Sequence, residues 1–91
     1  MNREQVKNKE KDADVRGGKP VLVLLNDDYH TFDYVIDALI KVCDHTPEQA
    51  EQCTLITHFR GKCDISKGKY EKLKAQREAL TERGLKTIIE H

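Results

Sequence analysis

Asn26 and Asp27 follow directly on the apolar run Val21-Leu22-Val23-Leu24-Leu25, and His58 stands far downstream in Leu55-Ile56-Thr57-His58-Phe59-Arg60-Gly61. An amide, a carboxylate and an imidazole brought to one point suit a small cation. A free α-amino group is such a cation: its pKa of about 7.7–8.0 keeps it mostly protonated at neutral pH, with three N–H donors to satisfy. Asn26 can offer its side-chain carbonyl, Asp27 a carboxylate, and His58 an unprotonated ring nitrogen. Taken singly these residues say little, because Asn-Asp-Asp is ordinary turn composition and a histidine near a helix end is common. Their joint appearance beside apolar segments carries the reading.

The same residues make a poor enzyme. Cys53 and His58 are five apart, and such positions diverge on a helix. Asp27 and Asp28 are adjacent, so their side chains point in different directions. There is no phosphate-binding loop, no HExxH and no GxSxG. Cys43, His45, Cys53 and His58 match no usual zinc spacing, so neither metal nor cofactor is expected. Cys43, Cys53 and Cys63 are odd in number with no CxxC, which argues against a disulfide framework. Reduced thiols in a cytoplasmic protein fit better, with Cys43 and Cys53 serving as small buried hydrophobes.

Lys+Arg and Asp+Glu balance at 16 each, leaving no basic face for nucleic acid. The longest apolar run, Val21 to Leu25, is far too short to span a bilayer. Met1 to Gln5 are polar and lead into no apolar stretch of the secretory kind. At 91 residues the chain fits one domain with a small core.

The elements that must position the candidate site can be read in turn. Residues 1–18 are almost wholly polar and bury too little to offset their ordering entropy, so a flexible extension is expected there, ending at Gly17-Gly18. The core domain is expected over residues 19–91. Val21 to Leu25 reads as a strand, with Pro20 at its start and Asn26-Asp27-Asp28 breaking it. Thr31 is a helix N-cap, and Val35, Ala38, Leu39, Val42 and Cys43 form one apolar face ending near Asp44-His45. Thr46, Pro47 and Gln49 spell a capping box for a second helix, which Gly61 terminates. That helix carries Ala50, Cys53, Thr54 and Thr57 on one stripe and Leu55, Ile56 and Phe59 on its neighbour. Lys62 to Ser66 reads as an edge strand. A third helix from Lys69 to Arg83 turns Tyr70, Leu73 and Leu80 inward, and Leu85 to Glu90 closes as a strand. The expected fold is α+β, a three-stranded antiparallel sheet packed with three helices in the order β-α-α-β-α-β.

Asn26-Asp27-Asp28-Tyr29, then Phe32-x-x-Val35, Thr57-His58-Phe59-x-Gly61 and the closing Gly84-Leu85 resemble the Clp protease adaptor family ClpS over residues 19–91. The resemblance implies a substrate adaptor of the N-end rule pathway with no catalytic residues of its own. Such an adaptor hands its cargo to a Clp AAA+ unfoldase and its peptidase by docking on the unfoldase's N-terminal domain. It implies that Asn26, Asp27 and His58 hold the substrate's α-amine. His30, Phe32, Val35, Thr54, Leu55, Thr57 and Leu85 would line the pocket for the first side chain. The polar tail would engage the unfoldase, and Glu71 is the best single candidate for a docking residue on the last helix. A cytoplasmic monomer with N-degron proteins as partners, and with neither nucleic acid nor membrane, is expected. The element order also resembles the C-terminal domain of the ribosomal stalk protein, which makes an assembly module the alternative.

The chain departs from the commoner family pattern at several of these positions: His30 for Thr, Thr31 for Pro, Phe32 for Met, Thr54 for Met and Thr57 for Val. A small Thr54 widens the pocket where a long Met would narrow it, and Phe32 refills part of that volume from the opposite rim. Phe, Leu, Tyr and Trp are therefore expected to be accepted, with Ile and Val rejected less sharply than usual. Such discrimination is worth only about 1–3 kcal/mol per methylene-scale contact.

Overall fold

A computed structural model of the chain describes residues 18–91. Apart from Gly18, the expected extension lies outside the described residues. Within them the elements run β1 (Val21–Leu25), α1 (Phe32–Cys43), α2 (Pro47–Arg60), β2 (Lys62–Lys67), α3 (Tyr70–Glu82) and β3 (Thr87–Glu90). The strands form one antiparallel sheet, as the sequence predicts, and their order in it is β2-β1-β3.

β1 is central, which explains its unbroken apolar run: both edges are paired and Val21 to Leu24 are all buried. Leu22 and Leu24 point into the main core with Ala38 and Leu39 of α1, Ala50 of α2, Ile65 of β2, Leu73 and Leu80 of α3, and Leu85. By strand alternation Val21 and Val23 belong to the other face, in register with Glu90 and Ile88. The β1–β2 register shifts between Leu22 and Val23, a bulge that lets the last three residues of β1 pair with Lys62, Cys63 and Asp64.

Both helices that flank the site begin on a threonine cap. Thr31 Oγ1 accepts from Tyr34 N–H at 3.2 Å and starts α1. At α2, Gln49 N–H donates to Thr46 Oγ1 at 3.1 Å and Thr46 N–H to Gln49 Oε1 at 2.9 Å, the reciprocal pair that the sequence predicts. Gly61 closes α2 at φ 93°, in the left-handed region that favours glycine. Its N–H donates to Thr57 O at 2.8 Å and its carbonyl accepts from Asn26 N–H at 2.9 Å, so the end of α2 is stitched to the end of β1.

Two expectations need correction. Tyr70 does not face in: it is 41% exposed and stacks on His91 with ring centroids 6.2 Å apart. It is the first residue of α3, where the chain has not yet turned its apolar side to the core. The last strand begins at Thr87, not Leu85. Leu85 N–H is taken by Leu80 O at 3.0 Å, so the residue belongs to the turn closing α3 while its side chain stays buried. Ile56 and Phe59 share a stripe that faces outward, Phe59 being 77% exposed. Cys43 and Cys53 are free and half-buried against the core.

Candidate functional site

β1 ends, α1 begins and α2 ends at the same corner of the molecule. Between them lies a cavity of about 180 Å³ lined by Leu24, Leu25, Asn26, Asp27, Asp28, His30, Phe32, Val35, Thr54, Thr57, His58 and Leu85. Nine of the ten residues expected at the site therefore meet there. Leu55 does not line it: it sits about 100° around α2 from Thr54, beyond His58 and on the way to the outer face.

Polar groups and apolar groups separate by depth. Leu24, Val35 and Leu85 give an apolar wall, with the α2 threonines opposite. Thr54 and Thr57 are only 4% and 5% exposed. Each hydroxyl donates back along the helix, Thr54 to Ala50 O at 2.7 Å and Thr57 to Cys53 O at 2.7 Å, which is how a polar side chain is tolerated on an inward stripe. At the mouth, the His58 ring meets the rings of Phe32 and Phe59 edge to face, with centroids 5.1 and 4.9 Å away. Neither the His58 ring nor the Asn26 side chain has a hydrogen-bond partner among the described residues.

The two aspartates stand in different environments. Asp27 Oδ1 accepts from Tyr29 N–H at 2.8 Å and His30 N–H at 2.9 Å. His30 Nδ1 lies 3.1 Å from Oδ2 and 3.3 Å from Oδ1. A carboxylate can only accept, so Nδ1 carries the proton of that bond. Burial alone would raise the Asp27 pKa, but the backbone donors of His30 and Tyr29 and the His30 side chain outweigh it and hold the carboxyl below the usual carboxylate range. Asp27 thus folds the loop between β1 and α1. Asp28 lines the same cavity, and its carboxylate makes no hydrogen bond among the described residues. Sequence reading passed over Asp28 because adjacent residues in a turn look alike. The available signal was that the first aspartate of such a pair is placed to cap the turn behind it.

His30 is held from several sides. It stacks on Tyr34 at 4.9 Å, and Tyr34 donates its hydroxyl to Arg83 O at 2.7 Å. A Cβ at Gly84 would come within 3.1 Å of His30 Nε2, so the α3–β3 turn passes this ring on a bare backbone at φ 81°. No group of three or more His, Cys, Asp or Glu among the described residues is arranged to hold a metal ion.

This arrangement has known counterparts. The sequence matches the family described as ATP-dependent Clp protease adaptor protein ClpS over residues 19–87. The ATP-dependent Clp protease adapter protein ClpS of Acetivibrio thermocellus is 35% identical over 89 residues, covering 86% of this chain and 90% of that one. The chain belongs to the ClpS family. A shorter match, 44% identical over 41 residues, links it to the ClpS of an Enterobacter species, 39% of whose length is covered. Among solved structures, Agrobacterium tumefaciens ClpS2 bound to L-phenylalaninamide superposes with a TM-score of 0.76 at 19% identity, covering 79% of this chain and 94% of that one. The ClpS fold is shared, and membership makes this a Clp protease adaptor rather than a protease. No helix among the described residues is long and apolar enough to cross a membrane.

Proposed function

We propose that this ClpS-family chain binds proteins by a free N-terminus, taking the α-amine at the cavity mouth and a bulky hydrophobic first side chain in the cavity, and delivers them to a Clp unfoldase–peptidase. The observation that carries the reading is the set of unengaged acceptors at the mouth, Asn26, Asp28 and His58, above an apolar wall. Three donors on an α-ammonium meet three acceptors. Asp28 takes the carboxylate role that the sequence reading gave to Asp27, because both oxygens of Asp27 already have partners. Asp27 contributes by shaping the loop and adding negative charge behind it. The ligand of the Agrobacterium relative, L-phenylalaninamide, has a free amine and an aromatic first side chain, which supports the same chemistry here.

His30, Phe32, Val35, Thr54, Thr57 and Leu85 are proposed to bound the side-chain pocket. In the rest of the reading the chain is a cytoplasmic monomer without catalytic residues, the unfoldase docks through its N-terminal domain, and the 1–18 segment engages it. The test is fluorescence anisotropy with labelled peptides beginning Leu, Phe, Ile or acetyl-Leu. Tight binding of Leu and Phe with loss on acetylation supports the proposal. Equal binding of acetyl-Leu removes the amine clamp. No binding to any of the four leaves a ClpS-like fold that works as an assembly module.

A further inference from the structure

The cavity wall below the mouth offers hydrogen-bond acceptors and no free donor. A threonine hydroxyl has one proton and two lone pairs. The protons of Thr54 and Thr57 are already given to Ala50 O and Cys53 O, each at 2.7 Å. Both oxygens therefore keep only lone pairs for a further bond, and both residues line the cavity. A neutral His30 ring adds no donor, since its one proton sits on Nδ1 and goes to Asp27. The remaining wall, Leu24, Val35 and Leu85, is apolar.

Depth selects Thr54. It precedes His58 by four residues, about 6 Å along the axis of α2. With the amine at His58, the far edge of an aromatic first side chain ends near that depth. The geometry points to a pocket that ranks tyrosine above phenylalanine at the first position of its substrates, because the tyrosine hydroxyl donates to Thr54 Oγ1. This inference rests on the amine-and-pocket reading above and names the substrate class within it. In a purely apolar pocket the order reverses, since burying a hydroxyl without a partner is costly. The sign of the Tyr–Phe difference is thus diagnostic.

The experiment compares peptides that differ only at the first residue, Phe, Tyr, 4-fluorophenylalanine and acetyl-Phe, on the full chain and on Thr54→Val, Thr57→Val and Thr54→Ser. Tyr is expected to bind about two- to tenfold tighter than Phe, the range of one net hydrogen bond. The 4-fluoro peptide, which has no donor, gains nothing over Phe. Thr54→Val brings the Tyr-to-Phe affinity ratio down to one or below, whatever it does to Phe binding itself, and Thr54→Ser keeps the ratio above one. Phe binding as well as or better than Tyr on the unaltered chain overturns the inference. So does a Tyr advantage that survives in Thr54→Val, and Thr57→Val serves as the control that keeps it. Acetyl-Phe reports separately on the amine clamp: if it binds like Phe, the functional reading fails whatever the Tyr–Phe ratio. Absence of binding by every peptide overturns both.

Discussion

Asp27 accepts two backbone N–H groups, so Asp27→Ala leaves the donors of Tyr29 and His30 without a partner. We expect a stability loss of about 1–2 kcal/mol, read from urea unfolding at neutral pH. Because its folded pKa lies below the ordinary 3.8, Asp27 stabilises the fold above that pH, and the contribution disappears as the pH falls through the lowered value. The acid limb of the stability profile should therefore flatten in Asp27→Ala. Asp28→Asn is expected to behave in the opposite way. It should change stability by less than about 0.5 kcal/mol, yet weaken free-amine peptides by roughly 1.5–3 kcal/mol, the worth of a hydrogen bond to a charged group. If Asp28→Asn binds normally, the carboxylate assignment at the mouth is wrong. Thr54→Met tests the width of the pocket: the ratio of Leu to Ile affinity should rise, and an unchanged ratio would show that Thr54 does not set shape selectivity.

Helix α2 carries three of the cavity residues, and both its ends were legible in the sequence. Thr46-Pro47-x-Gln49 and Gly61 are local signals whose partners lie within a few residues, so no tertiary knowledge is needed to read them. The element order was legible for the same reason, and β1 was legible as a strand from its unbroken apolar run, although its central place shows only in the folded sheet. What failed was azimuth and adjacency. Leu55 was placed on the pocket wall, although helix rotation carries it past His58. Tyr70 was turned inward, although it occupies the first turn of α3. Asp28 was passed over because only the folded loop separates its surroundings from those of Asp27. The stitch between Gly61 O and Asn26 N–H was also invisible, being a contact between distant segments. It leads to a prediction for Gly61→Ala. No atom lies within 4 Å of an added Cβ, so the cost is purely that of the φ of 93°, about 1–2 kcal/mol. Peptide affinity should fall as well, because relaxing that φ moves the carbonyl that anchors Asn26. Thr46→Ala, at the far end of α2, should cost about 1 kcal/mol of stability and leave affinity unchanged. Equal effects of the two variants on affinity would contradict the stitch.

A domain of this size has a small stability margin, and part of its core boundary is made of thiols. α1, α2 and β2 each bring one cysteine to the region where they pack. Cys53 and Cys63 both direct Sγ at Asp64 O, at 3.9 and 3.5 Å. Burial first, and then the neighbouring Cys53, push the Cys43 thiol up to about 11 and the Cys63 thiol up to about 12. For groups whose folded pKa is raised, the stabilising contribution is fully present below the ordinary thiol value of 9.0. It is lost as the pH rises through the folded values. Unfolding releases both thiols to ionise at their ordinary value, so the urea midpoint should fall steadily from about pH 9 upward. The double variant Cys43→Ala, Cys63→Ala should show a shallower fall over that range, even if its stability at pH 7 is lower. Tyrosine and lysine titration contributes to both proteins alike, so the difference between the two slopes isolates the thiols. A second readout follows from the thiolate being the reactive species. At pH 8 the folded protein should alkylate at Cys43 and Cys63 far more slowly than the urea-unfolded chain, followed residue by residue by mass spectrometry. Matching rates in the two states would mean that these sulfurs are not shielded, and the alkaline limb would then need another cause.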